Sequence, residues 1–270
     1  MRLRGGVIII GSLLWQDDRD PDKGDKIRLD WRQKHLETGS RMLVRLPIRY
    51  GRYSRDHVYT MVFFRACQAD NLLGTGYVVP LKGTIDIDGL IRAAREMATA
   101  EGMAGRFVGR GATNPWASMG ILVNETSVDP EMAALLRSRW AAEFAGDGGG
   151  KDVAEYAIAG EHPSISAEGK LEIPWPRAET PAQQSAIDGL NFLIASSTKP
   201  LYEIASVSRY PSPADIARSV QGDARRRYFH SNRANAITTF EDEAVITALR
   251  LTPVSSPPSG PGSNEPRGIS

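Results

Sequence analysis

A turn made of small residues follows the first apolar run of the chain, where Gly11 and Ser12 come directly after Val7–Ile10. Backbone N–H groups at such a turn can point into one concavity, and a concavity of this kind binds anions such as carboxylates. The sequence therefore predicts that Gly11, Ser12 and Leu13 bind an acidic group of a substrate. An ordinary strand end has the same pattern.

The second candidate is a carboxylate on a predicted helix. Glu96 lies in a segment whose apolar residues recur at helical spacing. A carboxylate that is partly desolvated on such a helix can take and return a proton near neutral pH. We therefore predict that Glu96 is the catalytic acid–base, although a solvated glutamate paired with Arg92 fits the same sequence. Glu101, in Ala-Glu-Gly, is a rival, because the helical phase does not let both carboxylates face one pocket equally well.

A basic and aromatic stretch, RLPIRYGRYSR, is the third candidate. Arg49 or Arg52 could hold a carboxylate through two parallel hydrogen bonds, with Tyr50 or Tyr53 as a wall beside it. We assign substrate binding to Arg49 and Tyr50. A solvated hairpin end has the same composition.

Charge and cysteine content narrow the class of protein. The chain has 33 Lys and Arg against 32 Asp and Glu, so no overall field favours nucleic acid or a membrane surface as partner. Cys67 is the only cysteine, which indicates a reducing, cytoplasmic location and argues against a disulfide or a structural zinc. The four histidines show no ligand spacing, so no metal site is predicted. Metal-dependent nucleic-acid processing is a third possible function, which ranks below the other two because it would require acidic residues to converge on one ion.

The hydrophobic pattern predicts strands in the first half of the chain and helices after them. No run approaches the length of a membrane span. The expected strands are Val7–Ile10, Arg41–Ile48, Tyr59–Phe64, Gly76–Leu81 and Met119–Asn124. The expected helices run from Asp86 to Ala100, from Asp129-Pro130 to a point before the glycines at 146–150, from Thr180-Pro181 to Ser197, from Ser212-Pro213 to Asn232, and from Glu241 to Leu249.

The domain organisation is predicted to be simple. Residues 1–252 form one α+β domain, in which the glycines at 146–150 mark either a hairpin tip or a weak boundary. Residues 253–270 are rich in Pro, Ser and Gly and are predicted to be a disordered tail.

Several short motifs resemble one known family. The strand followed by Gly11-Ser-Leu-Leu-Trp15 resembles the first strand motif of the γ-glutamylcyclotransferase fold, in particular of its ChaC-type, glutathione-specific branch. Tyr59-Thr-Met-Val62, Gly74–Val79 and Leu90–Glu96 resemble later elements in the same order. Near the C-terminus, Ala214–Ala217 and Arg227-Tyr-Phe229 resemble the closing helix. Ile10 replaces the tyrosine of the first motif, and residues 125–205 have no counterpart.

The resemblance implies a small mixed β-barrel or strongly bent sheet packed by helices, with an added helical C-terminal half. The implied reaction is intramolecular aminolysis of a γ-glutamyl compound, which releases 5-oxoproline and an amine without a cofactor. The implied roles are carboxylate binding by Gly11, Ser12 and Leu13 and proton transfer by Glu96. A protein of the same fold that only binds a small acidic ligand or a protein partner is the alternative, which the loss of the tyrosine favours.

Overall fold

The computed structural model describes residues 2–18, 24–54, 56–66, 72–110, 115–158, 161–202, 209–223 and 227–251. These residues form a mixed α+β fold, and at this level the predicted fold class is confirmed. Cys67 and the tail predicted at 253–270 lie outside the described residues. Within the described part of the chain, no helix combines the length and the apolar character needed to cross a membrane.

The described elements comprise nine strands and seven helices. The strands are β1 (Gly5–Ile9), β2 (Met42–Leu46), β3 (Ile48–Tyr53), β4 (Tyr59–Phe63), β5 (Gly74–Pro80), β6 (Val108–Arg110), β7 (Pro115–Val123), β8 (Arg177–Ala178) and β9 (Phe192–Thr198). The helices are α1 (Ile27–His35), α2 (Ile87–Ala100), α3 (Pro130–Gly146), α4 (Pro181–Asp188), α5 (Pro213–Gly222), α6 (Arg227–Ala234) and α7 (Asp242–Leu251).

Seven of the strands form one mixed sheet in the order β6-β7-β9-β1-β5-β2-β8, while β3 and β4 form a separate hairpin. The central strand β1 pairs antiparallel with β5 and parallel with β9. All five residues of β1 are buried, which explains its continuous apolar run, because a strand covered on both faces needs no alternation. The turn at Gly11 therefore starts from the middle of the sheet.

Helix α2 follows its sequence signals closely. Asp86 caps it by accepting a hydrogen bond from the N–H of Gly89 at 2.7 Å, as expected for an N-cap aspartate. Leu90, Ala94 and Met97 lie on one face and are fully buried, which holds the helix against the core. The helix ends at Ala100, so Glu101 is its C-cap residue.

The C-terminal half differs from its prediction. The helix expected from Thr180 to Ser197 stops at Asp188, and β9 follows and enters the main sheet between β1 and β7. Its Phe-Leu-Ile-Ala run is completely buried, and a short buried apolar run has no period that separates strand from helix. The helix expected from Ser212 to Asn232 is also two helices, α5 and α6. The added half is thus not only helical, because it supplies one inner strand of the sheet.

A close contact between β1 and β9 gives a testable prediction for stability. A Cβ atom at Gly5 would lie 2.0 Å from the ring of Phe192. We expect Gly5→Ala to lower the free energy of unfolding by about 1 to 3 kcal/mol, because the ring has to move within a packed core. Urea denaturation measures the change, and Gly39→Ala is the control, since nothing lies within 4 Å of that position. Equal unfolding midpoints for the two variants would contradict the expected packing.

Candidate functional site

A cavity of about 620 Å³ opens beyond the ends of β1 and β9. Its wall combines the turn after β1, one side chain of α1, the C-cap of α2, side chains of β3, β4 and β9, and α6. The lining residues with polar or aromatic groups include Gly11, Ser12, Trp15, Gln16, Arg28, Arg52, Asp56, His57, Glu101, Trp116, Ser196, Thr198, Asp223, Arg227 and Tyr228.

The turn after β1 is held by its carbonyl groups. The carbonyl of Gly11 accepts a hydrogen bond from Leu14 N–H at 3.1 Å, and that of Ser12 accepts from the N–H groups of Trp15 and Gln16 at 3.2 and 2.8 Å. Within the described part of the chain, the N–H groups of Gly11, Ser12 and Leu13 donate to no other residue. The three predicted binding residues therefore all line the cavity, with donors available to an acidic ligand.

Glu101 is the carboxylate that shares this cavity. One oxygen accepts a hydrogen bond from Nη2 of Arg28 at 3.1 Å, and the other accepts from Oγ of Ser196 at 2.9 Å. Its side chain is only 16% exposed, and that of Arg28 is 11% exposed. Both carboxylate oxygens thus have a fixed direction at the wall of the cavity.

Arg28, from α1, connects three parts of the site. Its Nη1 donates to Ser12 Oγ and to Gln16 Oε1, both at 2.9 Å, and its Nε donates to the carbonyl of Ala100 at 3.3 Å. With the contact to Glu101, the planar guanidinium joins the turn after β1 to the end of α2. An arginine suits this role because its donors diverge in one fixed plane.

Tyr228, from α6, closes the cavity above Gly11. Its hydroxyl oxygen would lie 2.7 Å from a Cβ atom at position 11, so any side chain there would collide with it. The oxygen accepts a hydrogen bond from Met61 N–H at 3.1 Å, which leaves the hydroxyl proton to be donated elsewhere. Burial raises the pKa of Tyr228 to about 12, so the group is a neutral donor at pH 7. Tyr228 therefore brings a hydroxyl group to the turn that begins at Gly11.

Comparison with protein families, with curated proteins and with solved structures finds no match to this chain. Among the described residues, no group of three or more His, Cys, Asp or Glu side chains could hold a metal ion.

Glu96, the predicted acid–base, does not lie with these residues. Its carboxylate is 40% exposed and pairs with Lys34 Nζ at 2.8 Å and with His35 Nε2. Although partial burial raises the pKa of Glu96, the hydrogen bonds from Lys34 and His35 outweigh it and hold the pKa below its usual value. The structure therefore brings Glu101, the rival considered from the sequence, to the cavity and leaves Glu96 outside it.

Arg49 and Tyr50 also lie away from the cavity. Arg49 donates from Nη2 to Glu241 at 2.7 Å, and its guanidinium lies over the ring of Tyr210 at 4.1 Å from the centroid. Tyr50 is completely buried in the core. Arg52, the alternative to Arg49, does line the cavity. The register of the hairpin shifts between Tyr50 and Arg52, and Arg52 pairs with Thr60, which also lines the cavity.

The surroundings of Arg49 predict a structural role. Besides Tyr210, the rings of Phe64 and Phe240 lie 5.0 and 5.5 Å from its guanidinium carbon. We expect Arg49→Lys to lower the free energy of unfolding by about 1 to 3 kcal/mol, because an ammonium cannot reproduce both the planar stacking and the bond to Glu241. Urea denaturation measures the loss. Arg41→Lys is the control, since Arg41 also stacks on a tyrosine but is exposed; an equal loss in both variants would contradict the role.

Proposed function

We propose that this protein is a γ-glutamylcyclotransferase-like enzyme, which converts a γ-glutamyl compound to 5-oxoproline and an amine. The observation that carries the proposal is that Glu101 lines one cavity together with Gly11, Ser12 and Leu13, whose N–H groups donate to no other described residue. A carboxylate beside donors of this kind complements the zwitterionic head of an α-amino acid. The α-ammonium would face Glu101, while the α-carboxylate would face the turn and the positive charge of Arg28.

The same placement suits the chemistry of ring closure. Glu101 accepts a proton from the substrate's α-ammonium, and the free amine then attacks the γ-carbonyl carbon of the same molecule. A new C–N bond forms, the original amide C–N bond breaks, and Glu101 returns the proton to the leaving nitrogen. The ring nitrogen then gives up its second proton through Glu101 to the same amine, so the products are 5-oxoproline and an ammonium. The neutral hydroxyl of Tyr228 is positioned at the turn to donate to the carbonyl oxygen as negative charge develops on it.

One observation favours a second candidate, a protein that binds an α-amino acid or another small acidic ligand without turning it over. Both oxygens of Glu101 already accept hydrogen bonds, from Arg28 and from Ser196. A general base has to offer an oxygen lone pair to the substrate, and here a substrate ammonium has to compete with Arg28 and Ser196 for the oxygens of Glu101. In a receptor, the same ion pair would simply fix the geometry of the site.

Turnover and binding assays separate the two candidates. The purified full-length protein is incubated with γ-glutamyl amino acids, γ-glutamyl peptides and γ-glutamyl amines, and 5-oxoproline is quantified by mass spectrometry. Thermal stability is measured with the same compounds and with glutamate. Release of 5-oxoproline from any of them supports the enzyme, and stabilisation without release supports the receptor. Neither release nor stabilisation across the panel would overturn both.

A further inference from the structure

A second cavity, of about 600 Å³, lies where the loop before β6 meets the loop after α3. It shares no lining residue with the cavity at Glu101. Its charged lining residues are Arg106, Arg110, Asp147 and Lys151, and the other described lining residues are alanine and glycine. The second cavity is therefore a separate place in the fold, with a lining that is polar and mostly basic.

The positive charge of this lining is not balanced by ion pairs. Within the described part of the chain, the side chains of the two arginines and the lysine make no hydrogen bond or ion pair. Asp147 is the one acidic lining residue, and its carboxylate already accepts hydrogen bonds from Arg95 Nη1 at 3.2 Å and from the N–H of Phe107 at 2.7 Å. Three cations against one carboxylate leave the lining with a formal charge of +2.

The C-terminal end of α3 offsets only part of this charge. A helix C-terminus carries about half a negative charge, which attracts nearby cations. Half a charge is about a quarter of the formal charge of the lining, and the last turn of α3 contains no basic residue that would belong to the helix end itself. The remaining positive charge favours an anionic ligand.

Gly148 lets the guanidinium of Arg110 lie directly against the loop after α3. A Cβ atom at position 148 would lie 2.0 Å from Nη2 of Arg110, and φ there is +83°, in the left-handed region that favours glycine. A side chain at this position would therefore displace the guanidinium or strain the turn. The loop thus places a planar donor at the wall in advance, which lowers the entropic cost of binding a ligand.

The composition of the lining restricts the class of ligand. Among the described residues that line the cavity, none is aromatic or large and apolar, so there is no surface on which a nucleobase could stack or an acyl chain could pack. Arginine binds phosphate oxygens through two parallel hydrogen bonds, and lysine adds a point charge. The volume of about 600 Å³ lies in the range that is typical of small-molecule sites.

We propose that this cavity binds the phosphate groups of a small hydrophilic molecule, with Arg106, Arg110 and Lys151 as the ligand-binding residues. The site is independent of the proposed function, because the two cavities share no lining residue. Nucleic acid fits the same charge less well, since its binding sites normally combine a longer basic groove with aromatic side chains.

The test is titration calorimetry of the full-length protein with inorganic pyrophosphate at low ionic strength, where charges are least screened. We expect saturable binding of one pyrophosphate per chain. Arg106→Gln, Arg110→Gln and Lys151→Gln should each weaken binding about ten- to a hundredfold, the usual effect of losing a charge-assisted hydrogen bond. Because the three side chains are exposed, these variants should keep the fold, which circular dichroism checks.

Two further variants separate a defined site from general attraction of charge. Arg41→Gln is the matched control, because it removes the same charge from an exposed arginine that stacks on Tyr77 outside this cavity. It should bind pyrophosphate as tightly as the parent chain does. Arg110→Lys should bind more weakly than the parent, because lysine keeps the charge but not the two parallel donors.

The titrations can overturn the site in three ways. Absence of saturable pyrophosphate binding by the parent chain would exclude it. Binding that survives all three glutamine substitutions, or that falls equally in Arg41→Gln, would place the anion elsewhere or assign its binding to net charge. Tighter binding of a single-stranded oligonucleotide than of pyrophosphate would replace the small ligand by nucleic acid. None of these results depends on 5-oxoproline release, so the proposed function is tested separately.

Discussion

Glu101→Gln is expected to lower the rate of 5-oxoproline release by about 10²- to 10⁴-fold, the usual contribution of a general acid–base. The amide keeps the shape of the carboxylate and an oxygen that accepts from Arg28, so the cavity retains its form. It cannot take a proton from the substrate's ammonium at pH 7. The measurement is single-turnover release of 5-oxoproline, which reports the chemical steps directly.

Glu96→Gln is the matched control for this prediction. It makes the same chemical change on the same helix, but its carboxylate pairs with Lys34 and His35 outside the cavity. We expect its rate to stay within about twofold of the parent chain, since it contacts no lining residue of the turn. A large loss in Glu96→Gln together with a normal rate in Glu101→Gln would reverse the assignment of the two glutamates.

The second large effect is expected from Arg28→Met. Removing the guanidinium leaves the carboxylate of Glu101 largely buried without its cation, and loss of one partner of a buried ion pair typically lowers stability by about 3 to 5 kcal/mol. The bonds to Ser12 and Gln16 are lost as well, so we also expect weaker ligand binding. Urea denaturation and calorimetry measure the two effects.

A double-mutant cycle identifies the cause of that loss. If the cost of Arg28→Met comes from the uncompensated carboxylate, the double variant with Glu101→Gln should regain part of the stability. The stability of Arg28→Lys should lie between that of the parent and that of Arg28→Met, because lysine keeps the charge but its single ammonium cannot reproduce the hydrogen bonds to all four acceptors. Additive losses in the double variant would contradict the pairing as the origin of the effect.

Local sequence signals are sufficient to predict where a helix begins when its first turn is capped. Helices α2 and α3 have Asp86 and Asp129 as N-caps, and both begin where the sequence predicts. Strand β9 was missed because its pairing with β1 and β7 is non-local, and the preceding N-cap at Thr180 favoured one long helix. A short buried run can form either element, and only the partners available in the sheet decide it.

The candidate site was predictable in part. The turn at Gly11–Leu13 is a candidate from the sequence because small residues after an apolar run can leave backbone N–H groups for a ligand, although an ordinary strand end has the same pattern. The sequence also contains a signal for Glu101, because Glu101 continues the buried row of Leu90, Ala94 and Met97. Glu96 lies about 140° around the helix from Glu101. Arg28 and Ser196 give no local signal, because each is brought to the site by an element whose position depends on the whole sheet.

The central position of β1 has a consequence for synthesis of the chain. Strand β1 is complete once Ile9 has been made, but its parallel partner β9 begins at Phe192. At translation rates of about 5 to 20 residues per second, roughly 10 to 40 s pass between the synthesis of β1 and the synthesis of β9. During this interval one side of the Gly-Gly-Val-Ile-Ile strand exposes unpaired N–H and C=O groups, the kind of edge that joins other chains. The nascent chain is therefore most exposed to aggregation before residue 198 is made, and its N-terminal strand is a segment for chaperones to protect.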